Sequence, residues 1–219
     1  MNIKRTTPGG MNINCLVYGQ AGSGKTTLAT TVEAPIILSA EAGLLSIAEA
    51  GIPYAEIGTI NDMRNAYSWL KTSQEAMEYK TIFIDSISEI GEVVLASEKK
   101  LSKDPRQAYG QMAEVVTDLI RAFRDLPFDV VMVAKLEKVQ DEMGRILYSP
   151  SMPGNKVGQG LPYLFDEVLA LRVEKNDDGV YRLLQTASDG AWLAKDRSGK
   201  LEQWESPNLG AVINKIRGV

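Results

Sequence analysis

Histidine is absent from this chain of 219 residues, and cysteine occurs once, at Cys15. With no imidazole and a single thiol, the chain cannot build a Cys/His zinc centre, a Ser-His or Cys-His hydrolase, or an internal disulfide. Cys15 lies in the apolar run "INCLVYG", the setting of a buried strand residue rather than a reactive thiol. An excess of positive charge is also lacking. The net formal charge is −4, so a broad polyanion-binding surface is not expected and any contact with nucleic acid must be local. No apolar run approaches the roughly 18 residues of a membrane span, and the opening "MNIKRTTPGG" lacks the apolar stretch of a secretory signal. A cytoplasmic protein with no membrane partner is therefore expected. Internal repeats and low-complexity segments are missing too, and 44% hydrophobic with 24% charged residues suits one globular core.

What is present alternates between apolar strands and helical patterns. Residues 1–11 read as a flexible tail containing Pro8-Gly9-Gly10, and 12–219 as a single core. "MNINCLVYG", "PIILSAE", "KTIFIDS" and "DVVMVAK" read as four buried strands. Helices are expected over about 61–78, 87–101 and 108–126, and from about Asn208, with a short one after the first strand that Pro35 limits. A polar segment, "SKDPRQAYG", and a long polar stretch from Glu137 to Pro162 read as loops. "EVLALRV" and "VYRLLQTA" read as a hairpin turning at Asp177-Asp178-Gly179. Together these elements predict an α/β fold: a mostly parallel twisted sheet, helices on both faces, and an antiparallel hairpin at one edge.

Gly19-Gln20-Ala21-Gly22-Ser23-Gly24-Lys25-Thr26 fits the pattern G-x-x-x-x-G-K-[ST] at every fixed position, and Thr27 follows it into the helix. The glycines let backbone N–H groups turn inward around phosphate oxygens, and the loop delivers those phosphates to a helix start. Lys25 would reach the β- and γ-phosphates and the Thr26 hydroxyl would ligate Mg²⁺. Asp85, ending the apolar "TIFID", is the expected second metal ligand. Gly19 through Thr27 are thus the expected ATP-binding residues, with ATP and Mg²⁺ as ligands.

A hydrolase also needs a group that activates water. Glu41 ends the second strand, at the carboxyl edge of the sheet where ligands bind, and is the expected choice, with an exposed loop acid as the competing reading. Glu89 lies one helical turn past Asp85, and Asp62 reads as a helix cap. A small-molecule kinase would need an arginine-rich lid, which is not evident after the fourth strand. GTP is disfavoured because no N-K-x-D follows that strand. A regulatory nucleotide switch binding a protein partner stays open.

Several of these stretches resemble the RecA-type recombinase core. "TIFIDSISEI" is similar to the metal-binding strand of bacterial RecA, and "PIILSAE" to the strand ending in its catalytic glutamate. "DVVMVAKL" resembles the strand ending in a γ-phosphate sensor, with Lys135 standing where RecA has glutamine. "WLAKDRSGK" resembles the basic segment through which one subunit reaches a neighbour's ATP, which makes Lys195 and Arg197 candidate trans-acting cations. The resemblance covers residues 12–200, the core alone. With its K-D-R-x-G signature the chain is most similar to phage-encoded RecA-like ATPases, including the Sak-type single-strand annealing recombinases. It implies an oligomeric, ATP-dependent protein, filament or ring, that binds single-stranded DNA in the host cytoplasm beside a single-strand-binding protein. A replication-accessory or helicase-like ring ATPase is the alternative. The two polar segments fall where the family's DNA-binding loops lie. They offer Lys103, Arg106 and Tyr109, then Lys138, Arg145 and Lys156, cations and rings of the kind sequence-neutral strand binding uses.

Overall fold

The computed structural model describes residues 11–41, 43–177 and 179–219, and all side chains among them except those of Asn155 and Lys156. The expected tail, up to residue 10, and Asp178 of the expected turn lie outside the described residues. The first strand, β1 (Asn14–Gly19), is wholly buried and stands near the middle of the sheet. A 3-10 helix, Thr26–Thr31, follows it. Next come β2 (Pro35–Ser39), a second 3-10 helix (Leu44–Ala50) and the short β3 (Tyr54–Glu56). The chain continues through α1 (Ile60–Thr72), β4 (Thr81–Asp85), α2 (Ile87–Leu101) and α3 (Pro105–Arg124). After these come β5 (Asp129–Gln140), β6 (Ile146–Ser151) and α4 (Asn155–Gly160). The chain ends with β7 (Glu167–Asn176), β8 (Gly179–Gln185), β9 (Lys195–Asp196), β10 (Trp204–Glu205) and α5 (Leu209–Arg217).

Among the described residues, ten strands join one sheet, in the order β10-β8-β7-β1-β5-β4-β2-β3, with β6 paired to β5 and β9 to β7. The strands β7, β1, β5, β4, β2 and β3 run parallel, each to its neighbour. Because both faces are covered, these strands carry near-continuous apolar runs. Alternation still divides them. Leu16, Tyr18, Ile82, Ile84 and Met132 join the core built by α1, α2 and α3. Cys15, Val17, Phe83, Val131 and Val133 join the opposite core, against Leu28 and Ala29 of the first 3-10 helix and Val212 and Ile213 of α5. Cys15 is fully buried, and burial pushes its thiol pKa up, as expected of an inert strand residue.

Two sequence expectations need correction. The polar segment at 102–110 is mostly helix: α3 begins at Pro105, and the Asp104 carboxylate caps it by accepting from the Arg106 N–H at 2.9 Å. The long loop at 137–162 is an antiparallel hairpin of β5 and β6, pairing Lys135 with Ser151 through Gln140 with Ile146, followed by the short α4. Asp141 and Gly144 (φ +80°) make its turn, the Asp141 carboxylate accepting from the N–H groups of Met143 and Arg145. The expected edge hairpin is present as β7 and β8, turning between Asn176 and Gly179, with β7 parallel against β1 and β8, β9 and β10 the antiparallel additions on that side. Among the described residues, no helix is long and apolar enough to cross a membrane.

Candidate nucleotide site

The parallel register assembles the site. Gly19 pairs with Lys135, Asp85 with Val133, and Ser39 with Asp85, so four strands end their buried stretches along one edge. That carboxyl edge, beside the crossover at β1, is where open α/β sheets bind ligands.

At β1's end the chain turns through Gly22 (φ +72°) and Gly24 (φ +95°), a backbone that L side chains rarely adopt. A Cβ on Gly19 would fall 2.7 Å from the Leu171 carbonyl oxygen and 2.9 Å from Ser23 Oγ, so this glycine is required for packing. Lys25 Nζ donates to the carbonyl oxygens of Gly19 (3.0 Å) and Gln20 (2.9 Å), which folds its ammonium back over the loop. Burial lowers the Lys25 pKa, opposed by the carboxylates of Glu41 and Asp85. Thr26 Oγ1 donates to Asp85 Oδ2 at 2.6 Å. Asp85 is 3% exposed, and burial raises its carboxyl pKa while the Thr26 hydrogen bond lowers it. Among the described residues no cluster of three or more His, Cys, Asp or Glu side chains can hold a metal. One hydroxyl and one carboxylate, both hard oxygen donors, are instead the sparse set Mg²⁺ takes when phosphates and water complete its shell.

The second carboxylate is fixed from below. The Ala40 and Glu41 N–H groups both donate to the Asp85 carbonyl oxygen, at 2.6 and 3.2 Å, and the Ser86 hydroxyl donates to Glu41 Oε1. Lys135 Nζ lies 3.7 Å from Glu41 Oε1 and 2.5 Å from Glu89 Oε2, and the Glu89 contact raises its pKa. Glu41, Asp85, Lys25, Thr26 and Lys135 therefore converge on one edge. Asp62 plays a different part: Thr59 is the cap of α1, and Asp62 completes a capping box with it.

Lys195 and Arg197 stand elsewhere. Lys195 pairs with Val168, toward the amino end of β7 and away from the loop, and its Nζ donates to the Pro162 and Phe165 carbonyl oxygens at 3.0 and 2.6 Å. Arg197 is paired with Asp166 at 2.7 Å. Within its own chain this segment does not reach the loop. The expected strand-binding cations Lys103, Arg106 and Lys138 are exposed, whereas Arg145 is held by Asp141 at 2.7 Å. Tyr109 is 39% exposed beneath the Lys99 ammonium, and its ring lies 3.1 Å from where a Gly154 Cβ would be, so the start of α3 and the turn after β6 meet. Tyr148 is already stacked on Trp192 at 4.2 Å. The Lys156 side chain lies outside the described residues.

One loop contact carried no sequence signal. Arg182 Nε, on β8, donates to the Ser23 carbonyl oxygen at 2.9 Å. A lone arginine in an alternating strand reads as surface charge, and only the register of β8 brings it to the loop.

The parallel sheet, the glycine loop at β1 and the Thr26–Asp85 pair define the chain as a P-loop ATPase. Within that class it belongs to the AAA domain family AAA_24, which matches residues 11–198. Among solved structures it is similar to a KaiC-like protein of the hyperthermophilic archaeon Pyrococcus horikoshii OT3. That likeness has 15% identity and a TM-score of 0.47, over 82% of this chain and 86% of that one. No curated protein matches it.

Proposed function

We propose that this ATPase couples ATP hydrolysis to binding of single-stranded DNA, as an oligomeric recombination or annealing protein of the RecA type. The observation that carries the reading is the position of Lys135. It lies in register with Gly19, beside Glu41, and at the root of the β5–β6 hairpin on which Lys138 is exposed. A change in what Lys135 pairs with is thereby transmitted along a continuous ladder to a cation-bearing projection.

In this reading Gly19 through Thr27 wrap the phosphates, and Lys25 leaves its two loop carbonyls to meet them. Thr26 and Asp85 hold Mg²⁺, which when bound neutralises charge on the phosphate oxygens. Glu41 takes a proton from the attacking water, and the Ser86 hydroxyl and Lys135 ammonium orient its carboxylate. Lys135 exchanges its Glu89 partner for the terminal phosphate and stays beside Glu41. Lys195 and Arg197 reach phosphate only by acting on a neighbouring subunit's loop, since their own lies at the other end of β1. Lys103, Arg106 and Lys138 neutralise the DNA backbone.

Fluorescence anisotropy of a labelled oligonucleotide tests this reading, using the Glu41→Gln variant so that ATP persists. Affinity for single-stranded DNA should be at least tenfold higher with ATP than with ADP, and should fall steeply with salt. Equal affinity in both nucleotide states, or no binding at low salt, overturns it. The protein-partner switch would then stand, favoured by the largely apolar 620 Å³ cavity beside Glu41, lined by Leu44, Leu45, Ile47 and Tyr54.

A further inference from the structure

Alternation along β8 puts Arg182 on the same face as Leu184, two residues on, and Leu184 is buried in the core formed by Leu28, Ala29 and Val17. That is the face over which the loop and its 3-10 helix lie. Arg182 therefore reaches the loop because the β7–β8 pairing aims it there: its Nε donates to the Ser23 carbonyl oxygen at 2.9 Å. A Cβ on Gly24 would stand 3.5 Å from the same Nε and 4.0 Å from Thr27 Oγ1. Among the described residues, the other guanidinium nitrogens of Arg182 have no partner. Arg172, Arg197 and Arg217, by contrast, are held by carboxylates.

The sheet order gives the contact a direction. Asp85 and Lys135 lie on strands to one side of β1, Glu41 lies just past β2 on that same side, and Arg182 lies on the other side, beyond β7. A triphosphate whose terminal phosphate meets Lys135 and whose metal meets Asp85 must run back across the loop toward Gly24, Thr27 and Arg182. We propose that Arg182 is a nucleotide-binding residue that contacts the α-phosphate, the phosphate next to the nucleoside, in the same chain as the loop. Its Nε–H stays on Ser23 and anchors the guanidinium, leaving the terminal N–H groups to pair with phosphate oxygens in the geometry arginine favours. The role rests on the loop's being the nucleotide site.

Calorimetric titration of ADP and ATP, each with Mg²⁺, into the wild-type protein and into Arg182→Ala, Arg182→Gln and Arg182→Lys tests it. The alanine and glutamine variants should bind ADP about tenfold to a hundredfold more weakly, the range of a charge-assisted hydrogen bond, and lysine, which keeps the charge but not the fork, should recover part of the loss. ATP should lose the same factor as ADP, because the terminal phosphate lies on the other flank. Unchanged ADP affinity in Arg182→Ala overturns the proposal. So does a loss confined to ATP, or glutamine binding as tightly as wild type, which would mean that a donor to Ser23 suffices. Lysine as weak as alanine overturns it as well. If the wild type binds neither nucleotide, the loop assignment fails and takes this inference with it. Wild-type binding that Lys25→Ala abolishes and Arg182→Ala leaves intact overturns this inference alone.

Discussion

Lys25 and Glu41 occupy one site yet answer to different physics. Lys25 is partly desolvated and held over the loop by two carbonyl oxygens, so its charge is set in place for phosphate. Lys25→Ala should lower both nucleotide affinity and turnover, the latter on the order of a hundredfold or more. Glu41→Gln keeps the shape and loses the base, so ATP should bind normally while turnover falls about 10²- to 10⁴-fold. Steady-state hydrolysis alongside nucleotide titration separates them, and an active Glu41→Gln enzyme would remove Glu41 from the mechanism. At this scale the sequence was legible where chemistry demands fixed residue types at fixed spacing, as in the glycine loop and the aspartate closing an apolar strand. It was illegible where one side chain arrives through tertiary register. Nothing in "GVYRLL" marks Arg182 as a loop contact, just as nothing in "VAKL" tells that Lys135 shares Glu41 with Ser86.

Elements that bury a continuous apolar face were equally readable. The strands ending at Gly19, Ser39 and Asp85 follow from their apolar runs, and the short helix after the loop from Pro35. The β5–β6 hairpin was not, because its far half is exposed and its alternation is carried by polar residues. Cross-strand hydrogen bonds and the Asp141 turn hold it instead of burial. Its return is fixed by Gly91 on α2, where a Cβ would fall 2.8 Å from Pro153 Cδ and 3.1 Å from the Met152 methyl. Gly91→Ala must push α2 and the segment after β6 apart, at a cost of about 1–3 kcal/mol for overpacking. A fall in the urea midpoint checks this, together with faster amide exchange over β6. An unchanged midpoint would mean that the hairpin does not depend on that close approach.

Across the whole molecule, β7 decides both shape and stability. It belongs to the expected edge hairpin and is also β1's parallel neighbour, a pairing that strand composition alone cannot assign because pairing partners are not written in periodicity. Its first residue, Glu167, is 1% exposed, with Oε2 lacking a partner among the described residues. Burial, then the neighbouring Asp196 charge, raises its pKa to about 8. Between the unfolded value of 4.5 and about 8 the folded state binds the extra proton. The stability this proton contributes is complete below the lower value and is lost as pH rises through the upper one. The thermal midpoint should therefore be lower at pH 9 than at pH 6, and the fall should be smaller in Glu167→Gln. Identical pH profiles would place the proton elsewhere. The same scale holds the functional claim, since the loop, Lys135 and the hairpin serve one purpose only if DNA and ATP are coupled. ATP turnover measured with and without single-stranded DNA tests that coupling most directly. The account predicts a rate raised about tenfold or more by DNA in the wild type and no such increase in Lys135→Ala. An ATPase rate that single-stranded DNA leaves unchanged at low salt would contradict it.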